Sequence, residues 1–291
     1  MAATVRPRRS VLYMPGSNTR ALEKAKSLAA DGLIFDLEDA VAPDVKEIAR
    51  QNVMKTVHDG GYGRREVLVR VNSLATPWGY ADIVAAAQSG ADGVLVPKVE
   101  SADGLRQVDA ILTAQGAPDN LALWCMMETP RAILGAAEIA AASPRLAGFV
   151  MGTSDLAKEL HAAHTAMRLP MLVSLGQCLL AARAHGLAIL DGVYLDLKDQ
   201  EGFEAACRQG QELGFDGKTL IHPDTIAIAN RVFSPSDSDL TWSRKIIAAH
   251  SLAGGGGFGV LVVDGKLVEH LHVANAERLV ALAAQIAQLE R

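Results

Sequence analysis

The chain has 291 residues, 49% of them apolar, and a formal charge of −5 from 28 basic and 33 acidic residues mixed along its length; that is enough apolar material for one large α/β core. No basic arm or block stands out, which speaks against a nucleic-acid partner, and no run nears the ~18 apolar residues of a membrane span. Cys125, Cys178 and Cys207 are widely spaced, odd in number and without zinc spacing, so reduced thiols in a cytoplasmic protein are expected.

Residues 1–9 carry basic side chains with no apolar segment behind them, so no export signal is read there. Short apolar, β-branched runs then occupy 10–14, 32–37, 66–71, 93–96, 121–127, 148–151, 187–190 and 217–221. Most are continuously hydrophobic, as strands covered on both faces are. Helical spacing predicts helices over 20–30, 80–89, 104–115, 131–142 and 172–185. In the first, Ala21, Leu22, Ala25, Leu28 and Ala29 make one face and Glu23, Lys24 and Lys26 another. Alternation of strand and helix through eight strands predicts an α/β fold, a (β/α)8 TIM barrel with a C-terminal hairpin-plus-helix extension. An open doubly wound sheet is the alternative, disfavoured by the regular spacing.

The extension begins with a helical stretch over 238–253 and four glycines, Gly254 to Gly257, read as a flexible hinge. A hairpin follows over 259–263 and 266–268, turning at Asp264-Gly265, a two-residue hairpin signal, and a last helix covers 273–289. The expected division is a barrel over 1–235 and an extension over 236–291 that lies over its own barrel mouth or a neighbour's.

Two motifs fail on context. Gly254, Gly256 and Gly259 match G-x-G-x-x-G, yet a helix precedes and a strand follows, the reverse of a dinucleotide site. Gly217-Lys218-Thr219 resembles the end of a P-loop, but Glu212 stands where its first glycine belongs. Lys98, after Val96-Pro97, sits where a barrel lysine can form a Schiff base; pairing with a nearby carboxylate such as Glu128 is the simpler reading. Trp124 and Cys125 read as core.

Catalytic groups of such barrels sit where strands end. Strand two ends Asp36-Leu37-Glu38-Asp39, strand three Arg70-Val71-Asn72, strand five Glu128-Thr129, strand six Ser154-Asp155 and strand eight Ile221-His222-Pro223. Carboxylates converging on one mouth repel each other unless a cation lies among them, and hard oxygen donors favour Mg²⁺, with Mn²⁺ as an alternative. Glu128 and Asp155 close consecutive strands and are the candidate ligands. Taken singly, each also suits a helix cap or first turn. Arg70 offers a planar fork to a substrate oxygen, or pairs with Asp36 or Glu38 when the site is empty.

These stretches, with Arg9-Ser10-Val11-Leu12-Tyr13-Met14-Pro15-Gly16-Ser17, Phe35-Asp36-Leu37-Glu38-Asp39-Ala40-Val41, Met151-Gly152-Thr153-Ser154-Asp155-Leu156 and Gly217-Lys218-Thr219-Leu220-Ile221-His222-Pro223, together resemble the citrate lyase β-subunit-like group of the HpcH/HpaI aldolase family. The resemblance covers nearly the whole chain and is strongest to enzymes of (3S)-malyl-CoA. It implies a Mg²⁺-dependent enzyme on an acyl-CoA substrate, either hydrolysing the thioester or cleaving a C–C bond. Citramalyl-CoA or citryl-thioester cleavage, or a subunit dependent on a larger lyase complex, are the alternatives. It further implies a homotrimer or homohexamer whose C-terminal segment closes a neighbour's site. Residue by residue, Glu128 and Asp155 match the metal ligands, and Glu38 and Asp39 the acidic pair behind the metal-bound waters. Arg70 matches the catalytic arginine. Tyr13 and Lys24, with Arg20 beside them, fall where the thioester is contacted, and Ser154, Ile221 and His222 lie in substrate-contacting segments. In the tail, Glu269 and Leu271 stand where many C–C lyases of the family have Asp and Pro, so Glu269 is the expected proton carrier.

Overall fold

A computed structural model describes residues 6–253 and 260–291. The glycine hinge over 254–257, and with it the glycine motif through Gly259, lies outside the described residues.

The chain resolves into two compact units: Arg8–Phe233, and Ser234–Arg291 together with the N-terminal residues through Pro7. The first is a closed barrel of parallel strands in sequence order: β1 (Ser10–Pro15), β2 (Gly32–Asp36), β3 (Glu66–Arg70), β4 (Gly93–Val96), β5 (Ala122–Met127), β6 (Leu146–Met151), β7 (Ala188–Asp191) and β8 (Gly217–Leu220). It closes where Ser10, Val11 and Leu12 of β1 pair with Lys218, Thr219 and Leu220 of β8. Helices between the strands are α1 (Thr19–Ala25), α2 (Lys46–Asp59), α3 (Gly79–Ala86), α4 (Ala102–Ala114), α5 (Pro130–Leu134), α6 (Ala136–Ala140), α7 (Thr153–Glu159), α8 (Leu172–Ala184) and α9 (Gln200–Leu213), with α10 (Ile226–Phe233) after β8. The TIM barrel expected from the strand pattern is the observed fold.

The differences from expectation have local causes. The first helix stops at Ala25, where the Ser27 hydroxyl donates to the Lys24 carbonyl and turns the chain. The helix expected over 131–142 is broken at Gly135 into α5 and α6. The Ser101 hydroxyl accepts from the Gly104 amide and so starts α4 two residues early.

Strand side chains alternate between the barrel axis and the helix layer. Val11, Ile34, Leu68, Leu95, Trp124, Met126, Val150 and Leu190 form the apolar layers inside. Trp124 and Cys125 are buried as expected, and all three cysteines are buried free thiols. Moving two residues towards the carboxyl ends leads from Val11 to Tyr13, from Ile34 to Asp36 and from Leu68 to Arg70. The same step leads from Met126 to Glu128 and from Val150 to Gly152. Polar groups therefore cap an apolar plug.

The second unit holds α11 (Asp237–Leu252), the antiparallel pair β9 (Leu261–Val263) and β10 (Lys266–Val268), and α12 (His270–Leu289). A Ser236–Asp239 capping box starts α11. Asp264 and Gly265 both take positive φ, 46° and 75°, as the tight hairpin requires. Ile246, Val263, Val268, Val273 and Ala276 form its core.

Candidate active site

A cavity of about 330 Å³ opens at the carboxyl end of the barrel. Its walls include Tyr13, Asp39, Arg70, Glu128, Ser154, Asp155 and Ile221, all singled out from sequence, together with Asp36, Met126, Met151, Val193 and Thr219.

Arg70 and Asp36 are register partners on adjacent strands. Nε and Nη2 of Arg70 donate to the two Asp36 oxygens at 2.7 and 2.6 Å. Nη1 lies 3.0 Å from Glu38 and 3.5 Å from Asp39. The pairing of Arg70 with Asp36 and Glu38 that its position suggests is thus present. Burial opposes the Asp36 charge, yet the adjoining guanidinium holds its carboxyl below the usual range. The guanidinium also lies 4.8 Å from the centre of the Tyr13 ring. Among the described residues the Tyr13 hydroxyl donates to the Met126 sulfur, at 3.4 Å, a weak acceptor, and burial raises its pKa.

Glu128 is 2% exposed. It does not cap a helix: Thr129 does, its hydroxyl accepting from the Ala132 amide at the start of α5. Glu128 Oε1 accepts from the Lys98 amide at 2.7 Å. Burial, assisted by the nearby charges of Glu38 and Asp155, pushes the Glu128 carboxyl up to about 7 against the pull of that amide and Arg70. Gly152 makes room for it, since a Cβ there would stand 2.4 Å from the Glu128 Cβ and 2.5 Å from Oε2. Asp155 sits in the first turn of α7, with the Ser154 hydroxyl buried beside it and without a hydrogen-bond partner among the described residues.

Lys98 pairs with a nearby carboxylate, as the simpler reading expects, but the partner differs. Its ammonium pairs with Glu38, at 2.6 Å, and only its backbone amide reaches Glu128. Below, the buried Lys46 ammonium donates to the carbonyls of Leu37 and Glu38 and to Asn72 Oδ1 at 2.7–2.8 Å, fixing the segment that carries Glu38 and Asp39.

The other expected residues lie elsewhere. Arg20 and Lys24 are exposed, one helical turn apart on α1, and do not line the cavity. His222 also lies off its walls, with Nδ1 accepting from the Asp224 amide at 3.3 Å. Glu38 is buried behind Arg70. Glu269 belongs to the second unit and precedes α12, its amide donating to His272 Nδ1 at 3.0 Å. Met126, Met151, Val193 and Thr219 were missed from sequence; a period-of-two count along β5 from Trp124 would have found Met126.

Among the described residues no three His, Cys, Asp or Glu side chains gather so as to enclose a metal by themselves.

A model of the HpcH/HpaI aldolase/citrate lyase family matches residues 9–223. A (3S)-malyl-CoA thioesterase of Cereibacter sphaeroides is 54% identical, over 99% of this chain and 98% of that protein. An L-malyl-CoA/beta-methylmalyl-CoA lyase of the same species is 35% identical, over 98% of this chain and 97% of that one. The crystal structure of CitE from Mycobacterium tuberculosis with magnesium, acetoacetate and coenzyme A superposes with a TM-score of 0.77 at 30% identity, covering 97% of this chain and 100% of that one. The chain belongs to the HpcH/HpaI aldolase/citrate lyase family and has that family's enzymatic barrel.

Proposed function

We propose that the chain is a Mg²⁺-dependent enzyme acting on a β-hydroxyacyl-CoA thioester of the (3S)-malyl-CoA type, hydrolysing it to malate and CoA. The observation that carries this reading is the pair Glu128 and Asp155, from consecutive strand ends, lining one cavity with the Arg70 guanidinium. The thioesterase relative at 54% identity supports the choice of reaction.

The donor set fits a hard divalent cation. Glu128 is a buried carboxylate with Oε1 held by the Lys98 amide, and burial and neighbouring carboxylates raise its proton affinity. A positive charge beside it relieves that penalty. Glu128 and Asp155 would hold the ion, Mg²⁺ or in its place Mn²⁺, with Glu38 and Asp39 assigned to its water shell. When bound, the ion supplies Lewis-acid charge to the 2-hydroxy carboxylate half of the substrate.

The remaining work falls to side chains. Arg70, held rigid by Asp36, presents its positive charge to the thioester oxygen that gains negative charge. Tyr13, whose hydroxyl donates to a sulfur, and Ser154, whose hydroxyl has no partner among the described residues, orient the acyl group beside Ile221 and His222. Arg20 and Lys24 take the anionic CoA. Water adds its oxygen to the thioester carbon, the C–S bond breaks, and the sulfur leaves protonated as CoA. Glu269, brought by the C-terminal extension of a neighbouring chain, moves the proton. A homotrimer or homohexamer goes with this reading, and the exposed apolar Val173 and Leu180 of α8 support burial against another chain. No described helix is long and apolar enough to cross a membrane, and a cytoplasmic setting goes with the reading.

C–C cleavage to glyoxylate and acetyl-CoA is the second reading, favoured by the lyase relatives. Incubation of purified protein with (3S)-malyl-CoA and Mg²⁺ separates the two. Free thiol without glyoxylate is the expected result. Glyoxylate without thiol establishes the lyase, and inertness towards free malyl-CoA overturns both.

A further inference from the structure

Lys98 follows Pro97 at the end of β4 with φ 51°, a left-handed backbone that glycine takes freely and a lysine adopts only under strain. The strain has two products. The amide N–H is aimed at Glu128 Oε1, 2.7 Å away. The ammonium reaches Glu38 Oε1 at 2.6 Å, while the other Glu38 oxygen lies 3.0 Å from Arg70. A glycine would supply the amide without strain, so the lysine side chain must add something of its own.

We infer that Lys98 is a positioning residue of the cation site: its left-handed backbone fixes the Glu128 carboxylate, and its ammonium holds Glu38 against Arg70. The amide engages Oε1 of Glu128, and the missing side chain of Gly152 clears the space beside Oε2. One oxygen is thus anchored and the other left for a cation. The ammonium is already committed to a carboxylate, which argues against its use as a Schiff-base amine. This inference rests on the reading of Glu128 as a metal ligand.

Mg²⁺ binding to the full chain, measured by titration calorimetry without substrate, tests it. Lys98→Gly, Lys98→Asn, Lys98→Ala and Lys98→Val all lack the ammonium but differ in tolerance of positive φ: glycine and asparagine accept it, alanine less, and a β-branched residue least. Affinity is expected to follow that order, with the valine variant roughly tenfold weaker than the asparagine variant, within the range that such backbone strain allows. Should the valine variant fail to fold, the asparagine–alanine difference carries the test. A flat or reversed series, with the wild type binding Mg²⁺, overturns the inference and leaves the metal reading standing. No binding by the wild type overturns both. A borohydride-stable glyoxylate adduct on Lys98 would also overturn it.

Discussion

At the barrel mouth carboxylates outnumber cations: Asp36, Glu38, Asp39, Glu128 and Asp155 gather around Arg70 and Lys98. On the outer side of β7 and β8 the balance is reversed. Thr219 lines the cavity, so its neighbour Lys218 faces the helix layer, where its ammonium donates to the fully buried Asp191 at 2.8 Å. Arg168 donates to the same carboxylate at 2.7 and 2.8 Å and to Gln209 at 2.6 Å. Both clusters centre on buried carboxylates, but their electrostatics run in opposite directions. Burial opposes the Asp191 charge, and Lys218 and Arg168 overcome it, holding its pKa low. Burial, with Glu38 and Asp155 nearby and less offsetting positive charge, pushes Glu128 up to about 7. A saturated carboxylate is a clamp, here tying the segment before α8 to the barrel wall. An unsaturated one facing a cavity is a place for a ligand.

The contrast can be broken in order of expected effect. Glu128→Gln removes charge from the open cluster without removing shape. It should lower kcat by roughly 10³-fold and abolish Mg²⁺ binding, leaving the melting temperature unchanged or raised; activity assays and calorimetry check this. Asp191→Asn strands two buried cations and should cost about 3 kcal/mol in urea unfolding at neutral pH, with kcat per folded molecule nearly unchanged. Its pH dependence has a definite sign. Because the folded pKa of Asp191 is depressed, its stabilisation is complete above the unfolded carboxylate value and is lost as pH falls through the folded one. Acid unfolding of the variant should therefore be shallower than that of the wild type. Arg70→Lys keeps the charge but loses the fork that grips Asp36, and a kcat lower by about 10²-fold is expected from steady-state assays. Smallest is Ile221→Ala, which opens apolar wall space. Relative kcat/KM should move towards methyl-substituted malyl-CoA by about tenfold or less.

The barrel was legible because strands buried on both faces are written as continuous apolar runs. Helices α2, α7, α9 and α10 were not read: α7, for instance, begins inside Thr153-Ser154-Asp155, where the end of a strand dominates the pattern. Glu128, Asp155 and Arg70 were legible because strand ends at the carboxyl face of a barrel converge. The Lys98 amide was not, since its direction is set by φ rather than by residue type. Nor was the Asp191 cluster, whose partners lie 23 and 27 residues away and face outward. Position in sequence likewise gave no means of separating Arg20 and Lys24, exposed on α1, from the residues that line the cavity.

The proposed chemistry requires that Glu128 and Asp155 share one divalent cation. Crystals grown with Mn²⁺ in place of Mg²⁺ test it directly through an anomalous difference map. A single peak bonded to one oxygen of each side chain, and lost in Glu128→Gln, is the predicted result. A map without density between them, or with manganese held by other residues, would contradict the account.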